Sequence, residues 1–597
     1  MSASRAVGAP MGPGESLQLD QRWYGVRGLA GTLVLGFLLW PASLMVAKAQ
    51  VRPALPAEST DASASGASAS PELRARRFLA GRSADGSGGG AQAMEAAWGQ
   101  HAALASQQTV AQGIGQRIAQ ARGVFSPQAL SPRLTSLDTA WQPLGPAQVL
   151  SAAYGKVTGR VTAIAIDSTD ASGNTVYLGT TGGGVWKSTN AAGPAAAVSF
   201  APLTDTLPVF SANAGTAAIP SLSIGAVSVE GSVVLAGTGD PNDATDSFYG
   251  EGLLRSADGG LTWTLIRNSQ DGANGNHRFT GLSFAGFAWS TASPGTVVAA
   301  VSHSAEGAVV GAADTQASVM GLYYSTDAGV TWQMSTVMDG AQIVQRPLLS
   351  GGQGGNAATA VVWNPVRKRF HAALRFHGYY ESADGITWTR LAQQPGTGLT
   401  TSACPANTDT VGNSGCPISR GALAVEPASG DMFALTVDSS NRDQGLWRDA
   451  CANTGSGCAG GVQFAQRLGG TSLEVGAGST TIAQGDYNLA LAAVASWGDT
   501  LVFAGTVDLY RCALSGGCAT LRNTTNALNG CGAPAKVAPA QHALAALATT
   551  GQPLLFVGND GGVWRSSDGV NQQATPCSAD NAAHFDNLNG GLPGLAG

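Results

Sequence analysis

The sequence predicts an all-β chain, a β-propeller of about seven four-stranded blades, from three observations. A strand–turn–strand–turn–strand unit recurs at intervals of roughly 55–75 residues. A Ser-x-Asp-x-Gly hairpin motif ends the third strand of several of these units. The composition suits short strands and tight turns rather than exposed helices. Of 597 residues, 82 are glycine and 12% are charged, against usual shares of ~7% and ~25%.

The N-terminal region reads as a targeting segment. Arg22 and Arg27 precede an apolar run from Gly28 to Ala47, and Ala47-Lys48-Ala49 places small residues where a signal peptidase reads them. Residues 1–49 are expected to be a signal peptide. An uncleaved membrane anchor is the alternative, because the run is as long as a membrane span. No other long apolar stretch follows, so the body is expected to be soluble. Residues 50–135 read as a linker, Ser/Ala-rich over Ser59–Ser70 and Gly/Ser-rich over Ser83–Gly90. A weak helical period spans 91–121 through Met94, Trp98, Val110, Ile114 and Ile118.

The propeller is expected over residues 136–597. The fullest unit runs Gly159–Ile166, Thr175–Gly179 and Gly184–Ser188, apolar or alternating runs broken by glycine. Further units begin near Ile224, Gly281, Thr359, Gly421, Asn488 and Ala543. Two segments, Trp141–Leu144 and Phe585–Leu588, both read as outermost strands and compete to close the last blade.

The hairpin motif has full copies at Ser256, Asp258, Gly260, Thr262, Trp263 and at Ser325, Asp327, Gly329, Thr331, Trp332. A copy one residue shorter lies at Ser382, Asp384, Gly385, Thr387, Trp388, and Ser566, Asp568, Gly569 form a partial one. The aspartate accepts hydrogen bonds from turn amides, the glycine takes a positive φ, and the tryptophan opens the returning strand. With strands named a to d from the axis outward, this hairpin joins c to d. Alternating strand direction puts it at the channel end opposite the starts of the a strands. These conspicuous aspartates therefore read as structural turns, not catalytic groups.

On these motifs the chain resembles the Asp-box (BNR) repeat β-propeller superfamily, which includes sialidase-, sortilin- and xyloglucanase-like proteins. The segments Trp141–Pro146, Gly237–Asn242 and Gly558–Trp564 make it similar to bacterial exported proteins of the "glycosyl hydrolase BNR repeat" type. The resemblance covers about residues 140–592 and implies the propeller fold. It implies activity only weakly, because one fold carries many functions. Thr181 stands where xyloglucanase-like enzymes carry a catalytic aspartate, and only one of their two propellers is visible. Arg160, Arg278 and Arg420 could mimic the three arginines of sialidases, but no Tyr–Glu nucleophile pair accompanies them.

Eight cysteines all lie after residue 400. Cys404 and Cys416, Cys451 and Cys458, and Cys512 and Cys518 are close in sequence, leaving Cys531 and Cys577. Local disulfides in an exported protein are expected. The rival, a metal site, lacks the paired Cys-x-x-Cys signature.

Topology nominates a site at one channel mouth. Starts of a strands supply Arg160, Arg278, Arg420, Asp486, Tyr487, Gln541 and His542. Ends of b strands supply Thr181, Asp240, Asn242, His303, Asp438, Asp508 and Asp560. The ligand-binding set expected there is Arg160, Asp240, Asn242, Arg420, Asp486, Tyr487, Asp508, His542 and Asp560. Asp240, Asp508 and Asp560 are the carboxylates able to form a glycosidase pair. A wet, polar mouth without a ligand is the plain alternative. The acidic loop Asp240, Asn242, Asp243, Asp246 has oxygens for Ca²⁺ but not the spacing of a known calcium loop. No other cofactor is expected. His371 and His377 face one way on a strand ~20 Å apart and cannot share a metal. A net charge of −6 without a basic block gives nucleic acid no footprint.

The expected function is an exported glycan- or protein-binding module of the cell envelope or medium, its partner a polysaccharide or a protein. The alternative is a glycoside hydrolase acting on polysaccharide at the same mouth. A membrane contact is expected only through an uncleaved N-terminal anchor.

Overall fold

The computed structural model describes residues 148–592, apart from internal segments of which the longest are 208–221, 308–317, 348–355 and 405–415. The signal segment, the linker, the 91–121 helix, Trp141–Leu144, Asp246 and Cys531 lie outside the described residues. Regular structure among the described residues is strands and short 3-10 turns. No helix there is long and apolar enough to cross a membrane.

Seven four-stranded antiparallel blades follow one another along the chain, each running from its innermost strand outward. The a strands are Val161–Ile166, Ile224–Glu230, Ser283–Trp289, Ala358–Asn364, Arg420–Val425, Ala490–Ser496 and Gln541–Leu547. They define blades 1 to 7 and begin within three residues of the predicted unit starts. The sheet of blade 4 is extended to six strands. The hairpin Thr336–Asp339 and Gln342–Gln345, which precedes the blade in the chain, joins its outer edge, with Thr336–Asp339 running parallel to Thr387–Arg390. The sequence reading did not foresee this addition, which covers the outer edge of that blade.

Blade 7 takes all four strands from the C-terminal segment, ending with Asp586–Asn587. Phe585–Leu588 thus supplies the closing strand. The ring is completed by packing, because Val161, Val176 and Leu178 of blade 1 share one apolar cluster with Leu554, Phe556 and Val563 of blade 7. Gly558 lies against blade 1 so closely that a Cβ would sit 2.8 Å from Val161 Cγ1. The hairpin Val149–Ser151/Gly155–Val157 is pinned to blade 7 by Asn587 Nδ2, which donates to Tyr154 O at 3.1 Å and Lys156 O at 2.8 Å.

The c–d hairpins have the geometry their residue types dictate. Asp258 Oδ1 accepts from the amides of Leu261 at 3.0 Å and Thr262 at 2.9 Å, and Ser256 Oγ accepts from Gly260 N at 2.8 Å. Asp327 and Asp384 repeat the pattern. Each tryptophan Nε1 donates back to the turn carbonyl of Gly260, Gly329 or Gly385. Trp332 and Trp388 are fully buried, but Trp263 leaves part of its ring at the surface. Trp263 is the less covered ring because the outer strand beyond it, Thr264–Ile266, is itself only partly covered.

A second repeated device was not read from the sequence. A side chain beyond strand d accepts from an amide at the start of strand c: Thr204 from Val185, Gln345 from Leu322, Gln394 from Tyr379, Thr525 from Leu509 and Asn589 from Val563. In blades 1, 3, 4 and 7 the residue just before that amide is a glycine at positive φ. A Cβ there would lie 2.0 Å from Thr204 Oγ1, 1.9 Å from Gln345 Oε1, 2.7 Å from Gln394 Oε1 or 2.0 Å from Asn589 Oδ1. Only glycine leaves room for the latch. Blade 6 has Asp508 at this position.

Three expected disulfides are present: Cys404–Cys416, Cys451–Cys458 and Cys512–Cys518, with Cα separations of 4.5, 4.8 and 5.5 Å. Cys577 is also disulfide-bonded. Bridges of this kind suit an oxidising extracellular or periplasmic environment.

Candidate ligand site at the channel mouth

The a strands converge on a central cavity of about 300 Å³ walled mainly by small and apolar residues of all seven blades, among them Ala163, Ala226, Gly286, Ala360, Ala422, Leu491 and Ala543. Polar groups gather at one end, where b–c turns and a-strand starts meet. The segment Asp240–Asp243, following strand b of blade 2, is folded inward over this end. Gly225 on the neighbouring a strand makes that possible. A Cβ there would meet Gly239 O at 2.2 Å and Pro241 Cδ at 2.5 Å.

The folded-in segment crosses to distant blades. Asp243 receives Arg375 of blade 4 through both guanidinium nitrogens, at 3.3 and 3.0 Å, with both side chains buried. Its backbone amide donates to Asp486 O at 3.2 Å, at the entry to blade 6. Arg375 is further fixed by donating from Nε to Ser419 O at 2.7 Å. Arg420 donates to the carbonyls of Asp486 and Tyr487 at 3.1 and 3.2 Å. Burial pulls the Arg420 guanidinium below its usual value, against the opposing pull of Asp243 and Asp240. These contacts form a buried lower layer.

A second layer reaches solvent. Arg160 donates from one nitrogen to Asp240 Oδ2 at 3.1 Å and from Nε to Asp560 Oδ1 at 2.9 Å. Asn242 Nδ2 donates to Asp240 Oδ1 at 2.7 Å, and Thr181 Oγ1 lies 3.4 Å from Oδ2. Asp560 Oδ1 also accepts from Tyr487 OH at 2.6 Å and pairs with His542 Nε2 at 2.9 Å. The Arg160 guanidinium lies 4.8 Å over the Tyr487 ring, and His542 meets that ring edge-on at 4.7 Å. The Asp560 side chain is 39% exposed, whereas Arg160 is 13% and His542 5% exposed.

The environments separate the carboxyls. Burial works to raise Asp560, but His542, Arg160 and the Tyr487 hydroxyl outweigh it and hold the carboxyl at about 2. Asp486 goes the other way. Burial and then the Asp243 charge push it up to about 6, against the 2.9 Å hydrogen bond from Asn441 Nδ2. Its Oδ2 is buried without a hydrogen-bond partner.

A folded value above the ordinary ~3.9 means the native state binds more protons than the unfolded chain between about pH 4 and 6. The Asp486 contribution to stability is thus full below pH 4 and lost as pH rises through 6. Asp486→Asn is expected to raise stability at pH 7 by about 1–3 kcal/mol and to leave it unchanged at pH 3.5. Urea denaturation at the two pH values measures the difference. An equal effect at both would refute this reading of Asp486.

Of the residues nominated from sequence, Arg160, Asp240, Asn242, Arg420, Asp486, Tyr487, His542 and Asp560 share this mouth. Asp508 does not join them. It is fully buried with its carboxylate turned outward along blade 6, accepting from Thr525 Oγ1 at 2.6 Å, Ala527 N at 2.7 Å and Asn523 Nδ2 at 2.8 Å. It supports the Thr525 latch. Arg278 pairs by its backbone with Asn268 and Ser318 outside the a strand, and Asp438 caps its own turn through Ser440 N and Arg442 N. Gln541 spends its amide on the carbonyls of Val507 and Ala538. Asp243 was noted only as an oxygen donor, and Arg375 and Asn441 were not singled out. Both of the latter lie in b–c turns, and counting from the end of strand b would have found them. For the acidic loop, Asp240 and Asp243 are each committed to an arginine, and no group of three or more His, Cys, Asp or Glu able to hold a metal is found among the described residues.

No protein-family profile and no curated protein matches the chain. Solved structures that are similar include an ancestral GH74 enzyme, at 13% identity and a TM-score of 0.42, covering 74% of this chain and 47% of that one. The GH74 xyloglucanase from Xanthomonas campestris is 14% identical with a TM-score of 0.41, over 70% and 54% of the two chains. YCF48 from Cyanidioschyzon merolae is 14% identical with a TM-score of 0.36, over 68% and 94%. This chain spans about half the length of the two GH74 structures.

Proposed function

We propose that this protein is an exported propeller of the Asp-box type that binds a glycan at the channel mouth, with Asp560 as the central acceptor. The supporting observation is the state of that carboxylate. One oxygen is held by Arg160, Tyr487 and His542, while the side chain remains open to solvent. Such a group is ionised and oriented before any ligand arrives, and it accepts hydrogen bonds from sugar hydroxyls without reorganising. The disulfides and the N-terminal apolar run support export.

The same geometry weighs against glycoside hydrolysis. Contacts to one guanidinium bring Asp240 and Asp560 within about 8 Å, the right order for a carboxylate pair. However, the Arg160 guanidinium fills the space between them, where a glycosidic oxygen and water would have to fit. Asp240 is buried, and a carboxyl held at about 2 is ionised and cannot act as the general acid. A panel of soluble polysaccharides, scored for both retention and released reducing sugar, tests both readings. Retention without release is expected. Asp560→Asn should weaken it about tenfold or more, the scale of a lost charge-assisted hydrogen bond. Undiminished retention by that variant would place the ligand elsewhere, and reducing sugar released by the native protein but not by Asp560→Asn would favour the hydrolase.

A further inference from the structure

Beneath the mouth, two side chains that are already joined each keep a buried oxygen without a partner. Asn441, in the b–c turn of blade 5, donates from Nδ2 to Asp486 Oδ1 at 2.9 Å, at the entry to blade 6. Asn441 Oδ1 and Asp486 Oδ2 are both buried with no hydrogen bond. The two residues are only 3% and 5% exposed. Orphaned buried acceptors are costly, and one proton removes both costs. A carboxylic acid donates as well as accepts. Asp486 Oδ2–H can therefore donate to Asn441 Oδ1 while Asn441 Nδ2 donates to Asp486 Oδ1. The result is a closed acid–amide pair, which an ionised carboxylate cannot form.

The charges around the pair act on the same proton. Asp243, on the folded-in segment, opposes Asp486 with a like charge and is itself held by Arg375 of blade 4. Arg420, at the start of strand a in blade 5, is the opposing cation, but it donates to the Asp486 and Tyr487 carbonyls and not to the carboxyl. In the turn that carries Asn441, Asp438 caps the amides of Ser440 and Arg442, and Arg442 is exposed. On the same element as Asp486, Tyr487 turns its hydroxyl to Asp560. The backbone ties the pair to the mouth. Asp243 N donates to Asp486 O at 3.2 Å, so the folded-in segment rests on the residue that changes charge. Asp240, at the head of that segment, holds Arg160.

We infer that Asp486 and Asn441 share one proton and form a proton-operated clasp for the Asp240–Asp243 segment, closed while the proton is bound and loosened when it leaves to solvent. The closed form binds the proton more tightly, so it is favoured at low pH and loses that advantage as pH rises through 6. If opening returns the carboxyl to its ordinary ~3.9, linkage raises the open population about tenfold from pH 5 to pH 8. Hydrogen–deuterium exchange of a peptide spanning 239–243, corrected for intrinsic rates, is expected to show that rise in the native protein. Asp486→Asn keeps a permanent donor in place of the acid and should stay within about twofold over the same range. Infrared difference spectra between the two pH values should show a protonated-carboxyl band that is lost in Asp486→Asn and shifted in Asn441→Leu. A third arm rests on the glycan reading of the mouth: polysaccharide retention should fall about tenfold more in the native protein than in Asp486→Asn, which keeps any contribution of His542. Absence of retention at every pH would overturn the glycan reading, while exchange and infrared spectra still decide the clasp. Flat native exchange, a native-like rise in Asp486→Asn, or no band lost in that variant would overturn the clasp.

Discussion

Arg375→Ala is expected to cost about 3–5 kcal/mol, the scale for leaving one buried charge without its partner. The Arg375 and Asp243 side chains are only 3% and 2% exposed. Removing the guanidinium strands the Asp243 carboxylate beside Asp486, which is already pushed up by burial and then by that same charge. It also frees Ser419 O from its 2.7 Å donor. The lid segment would lose its anchor to blade 4, so Asp240 and Arg160 should lose order as well. Urea denaturation at pH 7 measures the cost. The double variant Arg375→Met with Asp243→Asn is expected to recover most of it, because the penalty lies in the uncompensated charge. A loss under about 1 kcal/mol in the single variant would mean that the pair is solvated and does not hold the lid.

Backbone regularity made most of the fold legible in the sequence. The inner strands, the Ser-x-Asp-x-Gly turns and the short cysteine spacings are local signals, and their positions hold in the structure. The mouth was half legible for the same reason. Once strand direction alternates, Arg160, His542 and Asp560 must converge on one end whatever their side chains do. What topology does not fix is where a turn residue points. Asp508 lies in a b–c turn like Asp560 but sits immediately before strand c. The sequences Gly184-Val185-Trp186, Gly321-Leu322-Tyr323, Gly378-Tyr379-Tyr380, Gly562-Val563-Trp564 and Asp508-Leu509-Tyr510 share that register, which would have assigned Asp508 to the latch. The inward fold of Asp240–Asp243 was harder to foresee. It depends on the missing Cβ of Gly225 on another strand and on an arginine two blades away, and neither is a local signal.

Trp388→Ala and Trp332→Ala are each expected to cost about 3–5 kcal/mol, the usual loss for truncating a buried aromatic side chain to alanine. Both rings are fully buried, and each makes contacts beyond its own hairpin. Trp388 packs against Phe370 at 6.3 Å, and its backbone pairs in parallel with Val337 of the added hairpin. Removing it should loosen both that hairpin and the interface of blades 3 and 4, which share one apolar cluster including Val298, Leu322 and Phe370. Trp332 contacts Phe287 at 6.1 Å in the cluster shared by blades 2 and 3. Trp263→Ala should cost clearly less, since its ring is only partly covered. The three variants thus form a graded series at one structural position, and the mouth lies at the opposite end of the strands. Melting midpoints should fall for Trp388→Ala and Trp332→Ala and move less for Trp263→Ala, with polysaccharide retention unchanged below the midpoint. If Trp263→Ala proved as damaging as the other two, burial would not be what sets the worth of this residue, and the turn hydrogen bond common to all three would have to carry it.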